Sequence, residues 1–530
     1  MGSSKMNSSE IFRLAKPMRK GFLRLIFSRF LIILTLLLLQ VGIVVGIFWW
    51  MTEYIPHFRI FEFIFSAAMV IYLFNNSMDS AAKLTWMFLI AIMPISGAFF
   101  LLYTQTNLGH RVLKRRVEEL IQETKALIRQ PEGVREELQA DGSGTDDLAT
   151  YLNLSGCFPI YRNTEVIYFP QGEDSFRMLL EELKKAEHYI FMEFFLIEEG
   201  YMWSEVLKIL VEKAASGVDV RVLYDGLSEI FTLPKDYYHL LEKQNIRAKT
   251  FAPIHPFVSS RYNYRDHRKI VIVDGKTAFT GGFNLADEYI NRVKRFGHWK
   301  DTSVLLRGSA VKSFTLMFLQ MWAVDEEGEK SQEFLPYLEE TDDVPEHPDG
   351  YVIPYSDCPL DAEKVGETVY MDILNRATDY VHIMTPYLIL DGEMQASLEY
   401  AAKRGVDVKL ILPGIPDKKM AYALAKSHYQ ALLEAGVKIY EYTPGFIHAK
   451  VFVSDNVKAV VGTINLDYRS LYHHFECAAY LYRCACISDM EKDFQETLGK
   501  CREVTLESVR HEKRFYKVAG KLMKFVAPLM

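Results

Sequence analysis

A single spacing occurs twice in this chain. His267-x-Lys269 is followed, after four residues, by Asp274 and, after six more, by Gly281-Gly282-x-Asn284. His448-x-Lys450 is followed at the same two intervals by Asp455 and by Gly462-Thr463-x-Asn465. A chain that repeats so long a pattern is built from two similar units. A second repeat agrees. The apolar stretch Tyr189-Ile-Phe-Met-Glu-Phe-Phe195 precedes a helical stretch ending at Ala215-Ser216-Gly217, and residues 218–223 then read as a strand. Residues 380–387, a helical stretch to Lys403-Arg404-Gly405 and residues 406–411 repeat that order, and both units share Gly-Val-Asp-Val. Strands alternating with helices predict an α/β fold with mainly parallel sheets, covered by helices on both faces.

The repeated residues suit one chemistry, the breaking and remaking of a phosphodiester without a metal. The apolar runs 270–273 and 451–453 read as buried strands. Side chains two apart on a strand share a face, so His267 points with Lys269 and His448 with Lys450. An imidazole serves as nucleophile or as general acid and base near neutral pH. Lysine is a fixed cation for phosphate oxygens. The glycines let backbone approach a ligand closely, and the amides of Asn284 and Asn465 can donate to a phosphate. Beyond each Asn stands another carboxylate, Asp301 and Glu476. A carboxylate on an imidazole Nδ1–H fixes the tautomer and frees the other nitrogen. Asp274 and Asp455 belong to the repeated motif and count among its candidate catalytic residues. Asp274-Gly275 and Asp455-Asn456 are also hairpin-turn signals, which gives these two a structural alternative.

The motif resembles the signature of the phospholipase D superfamily. Asn263-Tyr-Arg-Asp-His-Arg-Lys269, Gly445-Phe-Ile-His-Ala-Lys450, Asn465-Leu-Asp-Tyr-Arg-Ser470 and Thr385-Pro-Tyr-Leu-Ile-Leu-Asp391 look like its bacterial cardiolipin synthase branch. The similarity covers about residues 84–530. It implies two phospholipase D-like lobes related by pseudo-twofold symmetry, with His267 and His448 in one cleft. It implies transphosphatidylation of two phosphatidylglycerol molecules to cardiolipin and glycerol through a phosphatidyl-histidine. The alternative is the same chemistry with another acceptor, as in a hydrolytic phospholipase D or a different phosphatidyltransferase. His267 is assigned as nucleophile and His448 as acid and base. Lys269, Lys450, Asn284 and Asn465 hold phosphate oxygens, and Asp301 and Glu476 orient the histidines. No metal and no other cofactor is implied, because the lysines supply the positive charge. Two residues depart from the pattern: Thr463 replaces a serine, and His474 stands where an asparagine is expected before Phe475-Glu476.

The rest of the chain points to a membrane. Residues 30–50 are apolar, uncharged and long enough to span a bilayer, with Lys16, Arg19, Lys20, Arg24 and Arg29 before them. Residues 84–103, containing Pro94 and Gly97, are a second expected span. Residues 58–74 are apolar but short and carry Arg59 and Glu62, so they are expected not to cross. Arg111, Lys114, Arg115 and Arg116 follow. Basic flanks on both sides place the lobes on the cytoplasmic face of a bacterial cell membrane, in a multi-pass protein. A net charge of −7 and no extended basic stripe argue against a nucleic-acid partner. The expected layout is a membrane region over 1–106, a charged connector over 107–150, a first lobe over 151–345 and a second over 346–530. Residues 325–343 read as a solvated acidic linker. Residues 510–530 interleave lysines and arginines with apolar side chains, the pattern of a membrane-surface helix or of one docked on the second lobe.

Overall fold

The computed structural model describes residues 29–55, 58–76, 78–106, 108–253, 264–324, 331–339, 347–361 and 363–529. The basic segment 16–24, Asn263 and parts of the acidic linker, 325–330 and 340–346, lie outside the described residues.

The first lobe supplies β1 (Thr164–Phe169), β2 (Tyr189–Phe194), β3 (Asp219–Asp225), β4 (Arg247–Phe251), β5 (Arg265–Asp266), β6 (Lys269–Val273), β7 (Thr277–Gly281), β8 (His298–Lys300) and β9 (Ser303–Gly308). The second supplies β10 (Tyr351–Asp357), β11 (Tyr380–Met384), β12 (Asp407–Pro413), β13 (Lys438–Tyr442), β14 (Gly445–Ile447), β15 (Val451–Ser454), β16 (Lys458–Gly462), β17 (His474–Tyr482) and β18 (Cys501–Val504). The main sheet orders are β1-β9-β7-β6-β2-β3-β4 and β10-β17-β16-β15-β11-β12-β13-β18. The repeat seen in the sequence is thus a repeat of topology: β6-β2-β3-β4 corresponds to β15-β11-β12-β13.

The sheets are mixed rather than mainly parallel. Only β2, β3 and β4 run parallel in the first, and only β11, β12 and β13 along the path of the second. The reason is local. Asp274 (φ 52°) and Gly275 (φ 66°) turn β6 straight back as β7, and Asp455 and Asn456 (both φ 54°) turn β15 into β16. Two consecutive residues at positive φ make the turn that matches strand twist in a tight hairpin. A hairpin makes antiparallel neighbours, and the crossover helices serve only the other half of each sheet.

Alternation along the strands builds one core between the lobes. Ile270 and Ile272 of β6, Val304 and Leu306 of β9, Val451 and Val453 of β15 and Cys477, Ala479 and Leu481 of β17 enter a single shared cluster. Their neighbours Val271, Val273 and Leu305 face a separate cluster on the first lobe, and Phe452, Ala478 and Tyr480 face one on the second. This is the period of two expected of strands buried on both faces. The connector joins in unexpectedly. Helices Val134–Asp141 and Thr145–Gly156 precede the first lobe in sequence, yet Val134, Leu138, Leu148 and Leu152 are buried in the core of the second. Within the expected linker, Tyr337 donates to Asp219 (2.9 Å), so that stretch is held on the first lobe rather than freely solvated.

Helix Arg29–Tyr54 contains the first expected span; some of its side chains lie outside the described residues. Residues 58–74 form one helix, Phe58–Phe74. The second expected span is two helices, Ser80–Ile92 and Pro94–Thr106, of 13 residues each. Proline has no N–H to continue the ladder, so the helix stops at Met93 and restarts. Each piece is about 20 Å long, against the roughly 30 Å of a hydrocarbon core. Among the described residues, no helix is long and apolar enough to cross a membrane. The C-terminal helix Arg514–Val526 docks through Ala519 and Gly520, where an added Cβ would lie 2.3 Å from the Ala423 carbonyl. Its Phe515, Val518, Leu522 and Phe525 are exposed.

Candidate active site

Two short strand pairs cross between the lobes, and their register sets the site. β5 pairs in parallel with β17, placing Asp266 opposite Phe475, and the His267 N–H then donates to the Phe475 carbonyl (2.9 Å). β14 pairs in parallel with β8, placing Ile447 opposite Lys300, and the His448 N–H donates to the Lys300 carbonyl (2.7 Å). The next residue on each partner strand is a carboxylate, Glu476 and Asp301. Each imidazole is therefore held by the other lobe. His267 Nδ1 lies 2.9 Å from both Glu476 oxygens, and His448 Nδ1 lies 2.6 Å from Asp301 Oδ2.

The glycine segments make room for these carboxylates. A Cβ on Gly282 would fall 2.0 Å from Asp301 Oδ1, so the close backbone approach expected there is to the carboxylate. In the second copy Thr463 stands in this place, and its hydroxyl donates to Glu476 and accepts from the Cys477 N–H (3.0 Å). The substitution of threonine for serine keeps the donor that the site uses. Aromatic walls fix the rings: Phe195 lies 5.0 Å from His267 between centroids, and Tyr289 and Trp299 each lie 5.4 Å from His448.

The site is buried and cation-rich. Burial, then Lys269, holds His267 well below the usual imidazole range, and burial, then Lys450, pushes His448 down to about 4. Burial lowers Lys269 to about 8 and Lys450 to about 7, although Glu476 and Asp301 respectively pull upward. Burial drives Glu476 well above the ordinary carboxylate range, with Lys269 opposing. Near pH 7 both imidazoles are uncharged in the empty site, and the lysines sit close to their titration points. Lys450 Nζ stands 3.1 Å from His448 Nε2. An anion entering here meets two amines whose protonated forms it favours, beside two imidazoles with a free Nε2 when the proton resides on Nδ1.

A family model described as Cardiolipin synthase, PLD-like domain matches residues 179–322 and 370–498. The chain belongs to that family. The cardiolipin synthase of Halalkalibacterium halodurans is 31% identical over 95% of this chain and 100% of its own length. Cardiolipin synthase 2 of Bacillus anthracis is 33% identical over 88% and 90% of the two chains. An uncharacterized protein of Streptococcus mutans is 56% identical over 87% and 99%. The crystal structure of a phosphatidylserine synthase from Haemophilus influenzae shares the fold, with a TM-score of 0.55, 15% identity and coverage of 73% and 97%.

Not every expected residue of this cardiolipin synthase-family chain joins the cluster. Asp274 lies past the far end of β6 from Lys269 and accepts from the N–H groups of Glu187, His188 and Tyr189 (2.7–2.8 Å). Asp455 does the same with Thr378, Asp379 and Tyr380 (2.8–3.0 Å). Both carboxylates anchor hairpins through backbone N–H groups, and the structure does not bring them beside the two histidines. Asn284 accepts from the Leu196 N–H (3.1 Å) and donates to the Tyr289 hydroxyl (2.8 Å). Asn465 is buried with its Oδ1 unbonded. Two buried ion pairs that sequence reasoning missed clamp the His267 segment, Arg265 with Asp225 (3.2 Å) and Arg268 with Glu193 (2.6 Å). Glu193 was visible as the one charge inside an apolar strand.

Asp274→Ala is expected to cost about 2–3 kcal/mol of stability, because three backbone N–H groups lose a charged acceptor. Thermal unfolding should register this loss, while the folded variant keeps most of the wild-type turnover. Full inactivity in a well-folded variant would return Asp274 to the reaction centre.

Proposed function

We propose that this chain is a cardiolipin synthase that joins two phosphatidylglycerol molecules and releases glycerol. One observation carries the reading: two buried imidazoles, each on a carboxylate of the opposite lobe, lie within electrostatic reach of one another and of two buried lysines. His267 Nε2 attacks the phosphorus of the first lipid. The bond from phosphorus to the head-group glycerol breaks, and protonated His448 gives its proton to the departing oxygen. His448, now neutral, takes the proton from the terminal hydroxyl of a second phosphatidylglycerol. That oxygen attacks phosphorus, the N–P bond breaks and His267 is restored. Lys269, Lys450, Asn465 and the remaining N–H of Asn284 steady the phosphate oxygens as charge builds. An anionic phosphate also counters the lysine repulsion on His448 and lifts its affinity for the proton.

The substrates are membrane lipids, and the exposed apolar surface suits attachment to that membrane. Helix Arg29–Tyr54 exposes Leu38, Ile43, Ile47, Trp49 and Trp50. Phe88 of helix Ser80–Ile92 meets Phe525 of the C-terminal helix edge to face (4.7 Å), and Thr85 donates to the Phe525 carbonyl (2.7 Å). Leu84, Phe88, Leu522 and Phe525 remain exposed around this contact. The basic residues at 13–29 and 111–116 favour the cytoplasmic face for both lobes.

Purified protein given phosphatidylglycerol alone in liposomes should yield cardiolipin and glycerol by mass spectrometry, with no nucleotide-activated lipid. Phosphatidic acid as the main product would make water the acceptor and the protein a hydrolase. The charge on Lys450 and Lys269 is present below their low pKa values and lost as pH rises past about 7 and 8. Hence kcat/KM should fall above about pH 7–8, with the limb in kcat displaced upward because the bound diester holds the lysines protonated. A kcat/KM that stays flat to about pH 9 would remove the lysines from phosphate binding.

A further inference from the structure

His474 is the residue of the cleft that this reaction leaves without a task. Its side chain is buried, and neither ring nitrogen has a hydrogen-bond partner. Leaving two polar atoms unbonded in a buried site is costly, so such a group in a native fold calls for an explanation. The ring lies 5.4 Å from that of His267 between centroids, and its Nδ1 is 3.7 Å from Glu476 Oε1. His267 Nδ1 is 2.9 Å from the same oxygen. One donor atom from each of His267, His474 and Glu476 falls within 4.8 Å of the others. Tetrahedral zinc sites hold nitrogen and oxygen ligands at about 2.0–2.2 Å, which separates neighbouring ligand atoms by roughly 3.3–3.5 Å. The two measured gaps bracket that spacing. Two imidazoles and a glutamate, with a water completing the shell, is an established zinc ligand set. An asparagine at 474, which the family resemblance led us to expect, would supply no such ligand.

We propose that His267, His474 and Glu476 bind a zinc-class divalent ion that silences the site rather than serving the reaction. Binding at Nδ1 shifts the single proton of the neutral His267 ring to Nε2, the nitrogen that would attack phosphorus, and ties up the carboxylate that orients the ring. With one ring nitrogen on the ion and the other protonated, the imidazole has no lone pair left for attack. Binding stands on geometry alone, while its effect on turnover rests on the role of His267 proposed above.

The test uses full-length protein in detergent, stripped by chelator and titrated with Zn²⁺ by calorimetry and with Co²⁺ by visible absorption. Wild type should take up one ion per chain with a tetrahedral cobalt spectrum, and cardiolipin formation should fall in step with occupancy. His474→Asn and His474→Gln should each weaken binding by at least about 100-fold, with thermal unfolding confirming that they fold. Residual turnover of these variants should resist zinc. Equal binding in the variants, or no binding up to about 1 mM ion, overturns the site. Stoichiometric binding in a protein that makes no cardiolipin under any condition would instead leave the metal site standing and sink the proposed function.

Discussion

Each imidazole in this cleft depends on a carboxylate that its own lobe does not possess. Glu476 reaches His267 and Asp301 reaches His448 because β17 and β8 cross the interface to lie beside β5 and β14. Neither lobe alone can fix the tautomer of its own histidine. The shared apolar core between the sheets is therefore part of the site's construction as well as of its stability, since any slip of one lobe against the other breaks both pairs. The clamps behind His267, Arg265 with Asp225 and Arg268 with Glu193, serve the same end by holding the segment that crosses.

The same crossing concentrates charge where water is excluded. Burial strips the lysines toward neutrality and keeps both histidines uncharged in the empty cleft. Such a site keeps its cations close to their titration points, where a neighbouring anion shifts them most. A phosphodiester favours the protonated amines, and the Coulomb attraction acts at low effective dielectric.

Much of this could be read from the sequence, and the failures have physical causes. The two His–Lys pairs and the flanking strands follow from the repeated spacing and the period of two. The turn at Asp274-Gly275 was legible from its residue types, but its consequence, antiparallel pairing of β6 with β7, was hidden by the helix-strand alternation elsewhere. Asp301 and Glu476 were recognisable as partners for the histidines. Which served which was not, because that depends on the register between strands some two hundred residues apart. Asp274 and Asp455 looked catalytic because they share the spacing, although the spacing is also what a hairpin of fixed length imposes. The apolar run over residues 84–103 is split into two helices at Pro94, where a missing N–H interrupts the ladder.

Single-turnover trapping of the lipid adduct tests the crossed arrangement most directly. Asp301→Asn and Glu476→Gln would each be mixed with labelled phosphatidylglycerol, quenched and mapped by peptide mass spectrometry. If Glu476 serves His267 and Asp301 serves His448, Asp301→Asn should accumulate a phosphatidyl group on His267, because attack survives and acceptor activation fails. Glu476→Gln should form almost none. Adduct on His448, or an adduct that accumulates in Glu476→Gln and not in Asp301→Asn, would contradict the account.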